Sequence, residues 1–567
     1  MRRGVISAVA ALSVIGAAPA RAAEQKAYAV GLTYATPALV LNKGDSLRFT
    51  NIDPLAGHDL DSDKPGLFGS PVVSTGKSSP VTGVQSLPPG TYAFHCSLHS
   101  WMHGELTVTS AQTPGPIQPP DPGDGPDTSA VPNPVDLLPP ADAEPLGPGI
   151  WPMYGKDLSN TRNGGTSGPS WNEVANLGPV WSYKSTDGDF TGTPVVGADG
   201  TLVALSGGGT VFAIDAATGK LKWSRDLDQP LNGTAAIVGG RVYVPVPQVG
   251  GPRVVALDAA SGGVLWDSTL DTQKDADVYG SPVVWNGAVY IGTSALFGEL
   301  NDPDVHVRGS VVALDAATGA RKWKTYMVPP GHDGGAVWST PAIDMRLGRL
   351  YAGTGNAYHP PSADTTDSIV SLNAATGQIV GHFQATAGDV WNATGNPAAG
   401  PDYDFGASPN LIRFPNGREL VGGGQKSGTY WAVDRRSMTP FWHRKTGGGS
   451  QVGGILGSTA WDRKRVYGPD TPAGELWAIK GDSKYGWATA DGDPVHFGSV
   501  SVANGVVYTT DLAGFLDAHE ASTGALLAKL PLGRPSWGGV AIAGGSVFAT
   551  TGTETDTGYV VAYRPRG

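Results

Sequence analysis

The sequence contains a single cysteine, Cys96, in 567 residues, so no disulfide can form within the chain. Charge is sparse: Asp, Glu, Lys and Arg make up 16% of the residues, below the usual quarter, which excludes coiled coils and charge-laced helical bundles. Basic residues are outnumbered, 39 against 50 acidic, for a net charge of -11. Nothing offers a broad attraction to phosphate backbones or anionic lipid, and nucleic-acid binding is excluded on that ground. Apolar runs long enough to span a bilayer are missing beyond the first 22 residues, so no membrane span is expected. Turn formers are abundant instead, with 82 Gly and 46 Pro beside a 40% hydrophobic content. That composition predicts an all-β architecture rich in turns, with ample core.

The first 22 residues read as an export signal: Arg2 and Arg3, an apolar stretch from Val5 to Ala18, and the small-x-small ending Ala20-Arg21-Ala22. The mature chain is expected outside the cytoplasm, secreted or periplasmic; the paired arginines leave the export route open. An oxidising compartment normally favours disulfides, so a lone thiol there has another role. Residues 24–110 alternate short apolar and polar positions between turns, as in a small β-sandwich. Residues 111–149 hold 12 prolines and read as a semi-stiff linker with a reach of about 100 Å when drawn out.

From residue 150 to 567 the chain is repetitive. Strand, Asp-Ala-Ala-Thr-Gly turn and Trp-bearing strand recur at Asp215 with Trp223, Asp258 with Trp266, and Asp315 with Trp323, followed by weaker copies at Asn373, Asp434, Lys480 and Glu520. Anchor spacings of 40 to 61 residues suit one four-stranded blade each. The final strand, Val560 to Tyr563, is expected to join a sheet begun near Trp151 to Trp181 and so remove the free edges. An eight-bladed β-propeller is predicted, with seven blades as the alternative.

Two segments carry chemistry. In the first, Phe94-His95-Cys96-Ser97-Leu98-His99-Ser100-Trp101-Met102-His103 follows an alternating strand, and His58 lies upstream. Two imidazoles, a thiolate and a weak axial thioether make a blue-copper ligand set; a buried free thiol with incidental histidines is the bland alternative. The segment resembles the cupredoxin family, a Greek-key β-sandwich, over about residues 28–108. The resemblance assigns type 1 copper to His58, Cys96, His99 and Met102, and leaves His95 and His103 as exposed neighbours.

In the second, Gly334-Gly335-Ala336-Val337-Trp338, Thr354-Gly355-Asn356, Gly388-Asp389-Val390-Trp391-Asn392, Asp402-Tyr403-Asp404-Phe405-Gly406-Ala407-Ser408-Pro409 and Gly424-Gln425-Lys426 come in order. These resemble the propellers of pyrroloquinoline quinone (PQQ) dehydrogenases, and most of all the polyvinyl alcohol dehydrogenase branch. The resemblance implies Trp338 as the platform for the quinone, Asn356 as an amide ligand of calcium, Asp389 as the catalytic base and a further calcium ligand, and Lys426 as the partner of the quinone oxygens or a cofactor carboxylate. The acidic calcium ligand that the resemblance expects has no clean equivalent; Glu299 would serve only on a shifted loop. Two family features are missing: a vicinal cysteine pair and a Cys-x-x-Cys-His haem motif.

Together these imply an exported quinoprotein oxidising a small or polymeric alcohol, with copper as the electron outlet to an external redox acceptor. A non-catalytic propeller scaffold with a copper carrier, and a polymer-binding module, are the rival readings.

Overall fold

The computed structural model describes residues 24–30, 33–34, 38–51, 56–74, 77–110 and 149–566, except for 396–399, 415–416, 450, 452, 472, 482, 491–495 and 554–556. The expected export signal, and the expected linker up to residue 148, lie outside the described residues.

The N-terminal unit is two four-stranded sheets. Thr33–Tyr34, Glu24–Val30, Ser46–Asn51 and Lys77–Val81 form one; Ala38–Asn42, His99–Thr109, Gly90–Cys96 and Asp61–Ser62 form the other. Glu24–Val30 runs parallel to Ser46–Asn51, and Ala38–Asn42 parallel to His99–Thr109. Ser46–Asn51 buries every second residue, and Leu47 and Phe49 meet Phe94, Leu106 and Val108 in one core, as the two-residue period of a half-buried strand requires.

From residue 163 onward eight sheets are present among the described residues, seven of four strands and one of five. Neighbouring innermost strands touch at seven of the eight junctions, the Ser281 N–H to Thr340 hydroxyl bond bridges the eighth, and the Val195–Val196 strand contacts both Ala236–Val238 and Ala541–Ala543, which closes the series into a ring. One sheet is built from both ends of this region, because Tyr559–Pro565 pairs antiparallel with Leu177–Lys184. This is a β-propeller.

The repeated turn works as its chemistry requires. Asp215 Oδ1 accepts the Thr218 N–H at 2.8 Å, the lowered pKa of Asp215 being set first by the Thr218 hydroxyl. Gly219 adopts φ +73°, and a Cβ there would lie 2.6 Å from the Trp181 ring. The indole donates in turn to the carbonyl of the neighbouring turn: Trp181 to Ala216, Trp223 to Ala259, Trp266 to Ala316, Trp323 to Ala374 and Trp487 to Ala521, at 2.9 to 3.2 Å. The repeat is therefore an inter-sheet fastener, with an aromatic face packed on glycine and its polar edge satisfied.

A second, inner set of contacts encircles the axis. Each backbone N–H donates to a hydroxyl one sheet on: Thr193 to Thr234, Thr234 to Ser281, Ser281 to Thr340, Thr340 to Ser408, Ser408 to Ser458 and Ser458 to Ser499, at 2.9 to 3.2 Å. Inside this belt runs the arm of residues 151–163. Its carbonyls accept from Val196, Ile237, Ile343, Leu411, Trp461 and Val502, each on or beside an innermost strand. Fully buried Arg162 donates to the carbonyls of Tyr154, Val500 and Val540 and to Ser501 Oγ. The arm thus ties separate sheets together at their centre.

Candidate functional site

In the sandwich, the loop before Asp61–Ser62 carries His58, the end of Gly90–Cys96 carries the thiol, and the following strand begins at His99. Cys96 and His99 are cross-strand partners after a register shift at His95, a bulge that turns consecutive side chains out of strict alternation. Cys96 and His99 therefore stand on the strand ends that flank a tight turn, and His58 comes from a separate loop. Cys96 Sγ lies 3.7 Å from His58 Nδ1 and 3.4 Å from His99 Nδ1, and the three donor atoms lie within 4.8 Å of one another. A tetrahedral ion with bonds of about 2.0 Å to nitrogen and 2.3 Å to sulfur separates such donors by about 3.5 Å, so the donors stand at ion-spanning distances. Cys96 and Met102 are buried in the same core.

The arrangement is braced from outside. Asp59 accepts the Ser97 N–H at 2.7 Å and also the Ser97 hydroxyl, tying the His58 loop to the Cys96–His99 turn. Tyr34 Oη donates to the Asp59 carbonyl at 2.6 Å. His58 exchanges backbone bonds with Val73, and buried Asn51 Nδ2 donates to the carbonyls of Ala56 and Val73. His95 pairs instead with Asp63 at 2.7 Å, and the exposed His103 lies across the hairpin from it.

In the propeller, Trp338, Asn356, Lys426 and Glu299 gather around Asp404. Asp404 Oδ2 accepts from Trp338 Nε1 at 3.0 Å and lies 3.1 Å from Lys426 Nζ; Oδ1 accepts the Asn356 N–H at 3.0 Å. Lys426 also pairs with Asp402 at 2.8 Å, and its Nζ lies 5.5 Å from the Trp338 ring centroid. The Trp338 ring lies so close to Gly406 that a Cβ there would meet it at 1.9 Å. Asn356 Nδ2 donates to the carbonyls of Ala357 and Trp391, leaving its amide oxygen as the available acceptor.

Glu299 arrives on the short helix Leu296–Asn301, whose Phe297 N–H donates to Asp277 at 2.9 Å. Its carboxylate is 4% exposed as a residue, with Oε1 lacking a hydrogen-bond partner. Burial, then the Asp404 charge, pushes Glu299 well above the usual carboxylate range. Burial also raises Asp402 against the pull of Lys426. Desolvation alone would lower Lys426, but Asp402, Asp404 and Glu299 outweigh it and hold the ammonium charged. Asp367, with both oxygens unpartnered and fully buried, is raised by burial and then by Asp404. Four buried carboxyls thus face one cation. Unpaired buried charge is expensive, so some must hold protons unless a further cation enters; hard oxygen donors of this kind suit calcium.

Asp389 is differently placed. Its Oδ2 accepts the Tyr403 N–H at 2.8 Å and Oδ1 the Asp402 N–H at 3.3 Å, so the carboxylate braces the loop that carries Asp402 and Asp404. Sequence reasoning missed the role of Asp404; the signal lay within Asp402-Tyr403-Asp404-Phe405-Gly406, read there as a marker of kinship. A cavity of about 850 Å³ is lined by Asp187, Leu231, Tyr279 and Phe297 among others; it touches the helix that carries Glu299 but none of the residues of this cluster.

Two family models match the chain: one described as cupredoxin-like domain, over residues 5–108, and one described as outer membrane protein assembly factor BamB, over residues 171–444. The polyvinylalcohol dehydrogenase of Sphingopyxis sp. (strain 113P3) is 27% identical over 503 residues, covering 76% of this chain and 75% of that protein. That of Pseudomonas sp is 28% identical, covering 77% of each. The quinohemoprotein alcohol dehydrogenase structure from Comamonas testosteroni is similar in fold, with a TM-score of 0.61 at 22% identity over 73% of this chain and 80% of that one. No helix among the described residues is long and apolar enough to cross a membrane. The chain thus joins a cupredoxin-like domain to a propeller similar to those of polyvinylalcohol and quinohemoprotein alcohol dehydrogenases.

Proposed function

We propose that this chain is an exported PQQ-dependent alcohol dehydrogenase with a built-in one-electron outlet, acting on secondary or polymeric alcohols. On this reading residues 24–110 are a Greek-key cupredoxin sandwich and residues 150–567 an eight-bladed propeller. The observation that carries the reading is the buried cluster in which Glu299, Asp402 and Asp404 face the single ammonium of Lys426, beside an indole platform. Likeness to two polyvinylalcohol dehydrogenases supports the substrate class.

Glu299 and the Asn356 amide oxygen would hold calcium, and Trp338 and Lys426 would hold PQQ. Bound there, the quinone supplies a two-electron acceptor for the hydride of the alcohol carbon, with calcium as Lewis acid. Asp404 lies against the Trp338 indole and the Lys426 ammonium that would hold the quinone, and on this reading takes the hydroxyl proton, with Asp389 as the alternative base. Asp389 positions the Asp402–Asp404 loop. His58, Cys96, His99 and Met102 would hold copper, which supplies one-electron chemistry and suits discharge to an external acceptor.

The test is stopped-flow bleaching of the thiolate–copper absorption when PQQ, calcium and an alcohol are added to the copper-loaded chain. Bleaching is expected, with Asp404→Asn slowing it by about 10²- to 10⁴-fold, the range of a general base, and Asp389→Asn slowing it far less. Equal effects would return the base to Asp389. The likeness of residues 171–444 to an assembly-factor family favours a second reading, a non-catalytic scaffold; no bleaching with any alcohol would establish it over the first.

A further inference from the structure

A second cluster lies on the connecting segments next to the acidic pocket and takes no part in the reading above. His306 follows the Leu296–Asn301 helix, Asp333 precedes the Gly334–Gly335 turn, and His359 lies three residues after Asn356. His306 Nδ1 and His359 Nδ1 approach the same oxygen, Asp333 Oδ2, at 2.7 and 2.8 Å. Asp333 is fixed from behind, because its Oδ1 accepts the backbone N–H groups of Tyr358 and His359 at 3.2 and 2.9 Å. The outer nitrogens also face oxygen: His306 Nε2 lies 3.4 Å from Asp304 Oδ1, and His359 Nε2 lies 3.3 Å from the Pro303 carbonyl.

Proton counting makes this cluster informative. Four ring nitrogens face three acceptor atoms, Asp333 Oδ2 being shared by both rings, while two neutral imidazoles carry only two N–H groups. If the protons sit on the outer nitrogens, three lone pairs converge on one point. Protonating both rings instead places two cations side by side, with ring centroids 4.5 Å apart, against one buried carboxylate. With both protons on the inner nitrogens the two rings donate to Asp333 Oδ2, and a cation at the convergence point would replace those protons, its donors being two imidazole nitrogens and a carboxylate oxygen within 4.8 Å of one another. The outer acceptors then act as the supporting shell that fixes tautomer and ring orientation in metal sites.

We propose that His306 Nδ1, His359 Nδ1 and Asp333 Oδ2 form a binding site for a divalent transition ion, with zinc as the best match to two imidazoles and a carboxylate plus an open fourth position. Binding spreads the nitrogen–oxygen contacts to about 3.4 Å, the edge of such a tetrahedron, and His306, whose side chain is 60% exposed, is free to make that movement. The ion clamps the segment after the Glu299 helix to the segment after Asn356, holding the rim of the acidic pocket.

The test uses the full-length chain, copper-loaded and saturated with calcium, titrated with zinc chloride by calorimetry and followed by metal analysis after gel filtration and by thermal melting. One zinc per chain beyond the copper is expected, with a rise in melting temperature. His306→Ala and His359→Ala weaken zinc binding by more than the roughly 10- to 100-fold that loss of a supporting group costs, and abolish the rise. His306→Ala removes an exposed side chain and keeps the test decisive should His359→Ala fold poorly. Unchanged stoichiometry and affinity in His306→Ala overturn the proposal. So does an equal loss in Asp304→Ala, which would mean diffuse attraction to acidic surface, and so does zinc that calcium displaces, which would place it in the neighbouring pocket.

Discussion

Residue types announce chemistry only where several donors sit close in sequence. Cys96, His99 and Met102 fall within seven positions of one another, and their type and spacing sufficed to single them out; His58 joined them because a copper set needs a second imidazole. Asp404 and Asp389 show the opposite case. Both are buried aspartates in Gly-rich segments, and only the hydrogen bonds of the folded chain separate the one that takes the Trp338 indole and the Lys426 ammonium besides a backbone N–H from the one that braces two backbone N–H groups. Burial can also be read out at a single residue by titration. Asp470 is pushed from 3.8 up to about 7, first by desolvation and then by Glu475. An acid whose folded pKa is raised binds its proton more tightly in the folded chain, so its support for folding is complete at low pH and is lost as pH rises from about 4 to 7. Asp470→Asn should flatten the stability–pH curve in that window by up to about 1.4 kcal/mol per pH unit, measured by denaturant unfolding at a series of pH values. An unchanged slope would mean that the carboxyl is ionised throughout.

At the scale of the element, the Asp-x-x-Thr-Gly turn and the Trp that follows are legible because both requirements are local: an acceptor for two turn N–H groups, and a residue tolerating positive φ. That the glycine also forms the seat of the preceding sheet's indole is a tertiary fact. Gly219→Ala meets both constraints at once, placing a side chain in the left-handed region and a Cβ against Trp181. The backbone effect alone costs about 1 kcal/mol, and overpacking adds roughly 1 to 3 kcal/mol. Scanning calorimetry should show the propeller transition lowered by several degrees while the copper absorption at room temperature is untouched; a shift within error would mean that the indole yields freely. The hydroxyl belt from Thr193 to Ser499 went unread, since a Ser or Thr at the start of each repeat has many ordinary explanations and its partner lies 41 to 68 residues away.

For the whole molecule, closure is the governing constraint. Tyr559–Pro565 is the third member of a sheet whose outer strand, Leu177–Lys184, comes from near the start of the propeller. A chain ending at Thr557 leaves that strand without its partner and opens two sheet edges. Such a truncation should lose the cooperative melting of the propeller and aggregate on heating, yet still display blue copper absorption, because the sandwich has its own core. Loss of both signals together would show that the two units fold as one. The arm of residues 151–163 belongs to the same scale: only the assembled ring explains why Asn160 and Arg162 are buried, donating to carbonyls of separate sheets.

The sequence by itself singled out Cys96, His99 and Met102, the repeat and its turn, and the expectation that the first and last strands share a sheet, because each of these is written in short-range spacing or in the arithmetic of strand edges. The tertiary structure decided which carboxylates are left facing Lys426, that Glu299 reaches Asn356 from a helix, and that His306, Asp333 and His359 meet at all. Those outcomes depend on burial and on contacts between segments tens of residues apart, where the cost of desolvating a charge is set by neighbours that linear order does not reveal.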